Sequence, residues 1–159
     1  MSLFFLLHTF AQAQDIRLFH IERNKNNSIV CYDLHVDDNK EINQQNPIDA
    51  YWITPDKDNS RNSLSLVQYK LAYGLTIDKI EGDDISFKLK AYPERDIRVI
   101  YDSENRQANA YTYINGAFAV LKKLYIHASP PLYKSVEYII LEGYDPETGK
   151  EVSEMIINT

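Results

Sequence analysis

His20, Glu22, Cys31, Asp33, His35 and Asp37 are the residues of this chain whose types and spacing could do chemistry. They alternate with apolar residues in two segments, "DIRLFHIER" and "SIVCYDLHVD", separated by Asn24-Lys25-Asn26-Asn27. Period-two alternation around a polar turn cluster predicts a β-hairpin. A four-residue turn sets Arg23 against Ser28, hence Glu22 against Ile29, His20 against Cys31, Leu18 against Asp33 and Ile16 against His35. One face then carries Phe19, Ile21, Val30, Tyr32, Leu34 and Val36, with Arg17 and Arg23 at its margins, and reads as the core face. The other face gathers all six reactive side chains.

Three readings of that second face compete. His20 opposite Cys31 has the makings of a nucleophile and its base, because a neighbouring imidazole raises the thiolate fraction. His20, Asp33 and His35 carry the nitrogen and oxygen donors that a transition metal takes. The third reading is a solvated sheet surface, on which polar residues are expected, and it is preferred. No third orienting group and no oxyanion hole accompanies the dyad, and a register slip of one residue would send His20 to the other face. No phosphate loop, zinc spacing or nucleophile elbow occurs elsewhere, and nothing calls for a cofactor. His127, late in a strand beside Tyr125, reads as a surface or rim residue. Trp52 reads as core, with Tyr51 on the opposite face. Asp37-Asp38 and Asp83-Asp84 read as turn residues, since a calcium loop needs more regularly spaced oxygens.

The elements that must position these residues are mostly strands. The chain is rich in Tyr, with 12 among 159 residues, and its 44% hydrophobic content suffices for a core. "LTIDKIE" and "DISFKLKAY" flank Gly82-Asp83 as a hairpin. "IRVIYD" follows Pro93. "NAYTYI" and "AFAVLKKLYIHA" meet at Asn115-Gly116, where both residues tolerate positive φ, which sets Tyr111 and Tyr113 across from Val120 and Phe118. "VEYIILEGYD" and "EVSEMIIN" meet at Pro146-Glu147-Thr148-Gly149. "IDAYWIT" stands between long polar loops. "NSLSLVQYKLAYGL" has Leu64, Val67, Leu71 and Leu75 at helical spacing; a helix is expected there, capped by Asn62 or Ser63 and ended by Gly74 in the left-handed region. The sum is an all-β fold of about ten hairpin-connected antiparallel strands with one short helix. A β-sandwich is favoured over an up-and-down barrel, because the loops at 38–47 and 129–134 look long enough to cross between sheets.

Residues 1–13 read differently. Leu3 to Leu7 and Phe10 form an apolar run, too short to span a bilayer as a helix, ending in Ala11-Gln12-Ala13. This is the pattern of a secretory signal peptide. The basic segment that usually precedes the run is missing, which a start site placed too late would explain. The expectation is a cleaved segment 1–13, a single β-rich domain over 14–159, and a periplasmic or extracellular location. The alternative is an apolar first strand. Cys31 is the one cysteine, so no disulfide forms within the chain. A net charge of −6 with no basic block argues against nucleic acid and against anionic lipid surfaces as partners.

"FHIERNKNNSIVCYD", "AYWI", "KLAYG" and the closing "YIILEGYDPETGKEV", in that order, resemble the bacterial family called domain of unknown function 4833. The resemblance implies a small exported bacterial domain and supplies no catalytic residue. Three functions are in view: a non-catalytic domain that binds or scaffolds a protein or ligand of the cell envelope; a barrel carrying a small molecule or lipid; and a thiol- or metal-dependent enzyme using the His20, Cys31 and His35 face.

Overall fold

The computed structural model describes residues 14–132 and 135–158. The segment expected to be a signal peptide, 1–13, lies outside the described residues. Among the described residues, eleven strands and one short helical segment follow in chain order. Strands β1 (Gln14–Arg23), β2 (Asn26–Val36), β3 (Ile48–Thr54) and β4 (Ser60–Ser63) form one antiparallel arm. Strands β5 (Leu75–Glu81), β6 (Asp84–Leu89), β7 (Tyr92–Asp102) and β8 (Gln107–Ile114) form a second. Both meet β9 (Ala117–Ala128), and β10 (Val136–Tyr144) and β11 (Glu151–Ile157) extend the sheet from there.

β9 is the branch point. Its first residues, Ala117 to Val120, pair with β8, and Lys123 to Ile126 pair in parallel with His20 to Arg23 of β1. β10 pairs with Val120 to Ala128, so it occupies the other edge. One long strand therefore serves two arms in succession, and the single sheet curls into a half-barrel. The curl brings both arms onto one core. Phe19 of β1 stacks on Tyr32 of β2 at 4.5 Å and on Phe87 of β6, from the other arm, at 6.4 Å. Stacked aromatics add to the apolar area they remove from water.

The all-β class and the short helix are as expected, and one strand, β4, was not read from the sequence. The strands on either side of 38–47 and of 129–134 pair directly, β2 with β3 and β9 with β10, so a crossing between sheets is not needed to join them. The passage between arms is made by the helical segment, which runs from the end of β4 to the start of β5. It is one α turn (Leu66–Gln68) followed by a π turn (Tyr69–Tyr73). Its cap is Ser65, in a reciprocal capping box with Gln68, not Asn62 or Ser63. Gly74 ends it with φ −67°, so the left-handed region is not used. The glycine is required for space: a Cβ there would sit 2.0 Å from the Tyr69 carbonyl oxygen. The apolar spacing of this segment marks a core stripe only in part: Leu75, in β5, is buried and Leu64 packs against the core, but Val67 and Leu71 are exposed and Tyr73 is the buried residue of the π turn.

Candidate functional site

The first hairpin keeps His20 opposite Cys31, but its turn is tighter than expected, with Arg23 opposite Asn26. The core face is the one expected: Phe19, Ile21, Val30, Tyr32, Leu34 and Val36 are all buried. A β-bulge between Arg17 and Phe19 shifts the far end of the register. Leu18 is the extra residue, so Asp33 faces Arg17 rather than Leu18, and His35 faces Asp15 rather than Ile16. Arg17 thereby leaves the margin of the core face and joins the reactive side chains.

That second face is not a uniformly solvated surface. Cys31 is wholly buried and Asp33 nearly so. Arg17 Nε donates to Asp33 Oδ1 at 2.5 Å and Arg17 Nη2 to Tyr51 Oη at 3.0 Å, while Tyr51 Oη donates to Asp33 Oδ2. Arg61 of β4 lies over the Tyr51 ring at 3.7 Å and bonds Asp15 and Asp49. Burial opposes the Arg17 charge, but the bonds from Asp33 and Tyr51 outweigh it and keep its pKa above the ordinary value. These contacts sew β1 to β4 together and account for the acceptors of Asp33. Burial also pushes the Cys31 thiol up, with Arg17 opposing and Asp33 reinforcing. His20 Nε2 lies 3.0 Å from Glu22 Oε1, and Glu22 faces Lys123 at 3.7 Å. His35 lies 3.9 Å from Asp15. His20, Asp33 and His35 thus each hold a different partner, and among the described residues no three His, Cys, Asp or Glu side chains gather as a metal site. His127 stacks on Tyr138 at 4.6 Å, with Glu137 3.5 Å away.

A different place has the shape of a binding site. Among the described residues the half-barrel is open at the end where β1 and β9 finish and β10 begins. A cleft of about 600 Å³ lies there, between the π turn, the β6–β7 turn and the β9–β10–β11 sheet. Ile21, Leu89, Leu124, Ile126, Ile139 and Ile156 line it, and Leu71 and Ile157 stand at its rim, 75% and 68% exposed. Its volume falls within the roughly 300–1,000 Å³ of small-molecule sites.

One cation enters this apolar wall. Arg23 Nη1 donates to Tyr73 Oη at 2.5 Å, and its guanidinium carbon lies 5.9 Å from the centre of the Tyr73 ring. Tyr73 is fixed from two further directions: Tyr32 Oη donates to its carbonyl at 2.7 Å, and Trp52 meets its ring edge-on at 5.1 Å. Burial, opposed by Arg23, holds the Tyr73 hydroxyl above its ordinary pKa, so it stays protonated at neutral pH. Arg23 Nε is buried and has no hydrogen-bond partner among the described residues. Sequence reasoning missed this site because it assembles from six separated segments. The available signal was Arg23 itself, a cation at the end of an apolar strand face, which read as a margin residue.

Among the described residues no helix is long and apolar enough to cross a membrane. No curated protein and no solved structure matches the chain. The family described as Domain of unknown function (DUF4833) matches residues 19–155, nearly the whole of the chain, and the protein belongs to that family.

Proposed function

We propose that this protein is a non-catalytic binding domain of the bacterial cell envelope, exported by its N-terminal segment, which takes an apolar small molecule into the cleft at the open end of the half-barrel. The observation that carries the reading is the cleft: about 600 Å³, walled by branched aliphatic side chains from both arms and from β10 and β11. An apolar ligand gains by leaving water there, and a concave site with few polar groups is the usual form of a small-molecule site. Export is supported by the apolar run and Ala11-Gln12-Ala13.

Calorimetric titration with straight-chain alkan-1-ols tests the binding reading. Saturable binding at one site should tighten with chain length, up to about fourfold per added methylene. Leu71→Glu, at an exposed rim position, should weaken it. Absence of saturable binding across the series refutes the reading. N-terminal sequencing of protein from the native host tests export: a chain starting at Gln14 or Asp15 is expected, and an intact Met1 on cytosolic protein would refute it.

A further inference from the structure

We infer that the ligand of this cleft is a single-chain amphiphile with an anionic head, seated on Arg23, its chain lying along the aliphatic wall. The inference rests on the cleft being the binding site and adds the charge of what it binds. Arg17, Arg61, Arg95 and Arg98 each hold a carboxylate. Arg23 lines the cleft and forms no such pair among the described residues. Its neighbour is a neutral tyrosine hydroxyl, and its Nε is left without an acceptor. A charge partly withdrawn from water without a counter-charge is costly, and sites that keep one commonly meet an opposite charge.

The geometry also says where the head sits. Tyr73 occupies Nη1 and Nε is buried, which leaves Nη2 as the donor that a carboxylate or phosphate oxygen reaches in a charge-assisted pair. Tyr73 is held by Tyr32 and Trp52, so the guanidinium is oriented before any ligand arrives. The remaining wall is mostly Leu, Ile, Val and Ala, joined by Tyr92, Pro93, Glu94 and Asn158. Glu94 also lines the cleft, exposed, and disfavours a second negative group on the ligand. The head is therefore a single anionic group with an apolar tail.

The test compares decanoate, decyl phosphate and decan-1-ol, each below its micellar concentration, on the full-length mature protein and on Arg23→Met. The native protein should bind at least one of the two anions at least tenfold more tightly than the alcohol, and whichever anion binds more tightly distinguishes a carboxylate source from a phosphate one. Arg23→Met should lose that preference, binding anions and alcohol with affinities within about twofold of each other, and a far-ultraviolet circular dichroism spectrum matching the native protein shows that the variant is folded. Equal affinity of the native protein for alcohol and anions overturns the inference and leaves the binding reading standing. An anion preference that survives in Arg23→Met overturns it as well. Failure of all three ligands overturns both.

Discussion

Tyr73 stands between Arg23 and Trp52: it accepts a 2.5 Å hydrogen bond from one and meets the other edge-on at 5.1 Å. Trp52 is the one tryptophan of the chain, so it reports on the cleft from behind its wall. Saturating decanoate should change its emission, with a midpoint matching calorimetry. Binding detected by calorimetry with unaltered Trp52 emission would place the ligand elsewhere.

Cys31 tests the chemical reading of the first hairpin. Burial raises its thiol pKa, and only the thiolate attacks. The native protein should react with a thiol reagent slowly at pH 7, and fast once unfolded in denaturant. His20→Ala should leave the native rate unchanged, because His20 turns Nε2 to Glu22. Fast reaction at mildly acidic pH that depends on His20 would restore the dyad.

The Asn115-Gly116 turn has φ of 50° and 80°, and Tyr113 faces Phe118 with ring centres 5.5 Å apart. Gly116→Val places a β-branched residue at positive φ. It should cost at least about 1–2 kcal/mol, read as a lower melting temperature. An unchanged melting temperature would contradict the turn.

Glu154 of β11 clamps that turn: it accepts the Asn115 N–H at 2.7 Å and Arg95 Nη2 at 3.0 Å. Burial opposes its charge, but the Asn115 N–H and Arg95 outweigh it, so its pKa lies below the ordinary 4.5. The unfolded chain therefore binds this proton more readily than the folded one. The stabilisation is complete above about pH 4.5 and is lost as the pH falls through the folded-state value. Glu154→Gln should cost about 1–2 kcal/mol at pH 7 by urea unfolding, and its deficit should shrink in acid. A deficit independent of pH would contradict this assignment.

Much of the fold was legible because strand alternation and turn chemistry are local. Phe19, Ile21 and Tyr32 announced their face, and Asn115-Gly116 its turn. What escaped depends on partners distant in sequence. The parallel pairing of β1 with β9 has no local signal. The bulge at Leu18 carries none either, yet it decides which face Arg17 serves. The chemistry-bearing face was found by residue type, but burial of Cys31 and the claim of Arg17 and Tyr51 on Asp33 are tertiary facts. Arg23 was visible as a residue and not as a site, because its meaning comes from Tyr73, fifty positions away.

Amide chemical-shift mapping with decanoate reads where the ligand sits and so decides between the cleft and the first hairpin. Saturable shifts are expected at Ile21, Arg23, Tyr73, Leu89, Ile126 and Ile139, with Cys31, His35 and Tyr51 on the opposite face unmoved. Saturable shifts at His20, Cys31 and His35 with the cleft residues silent would contradict binding in the cleft.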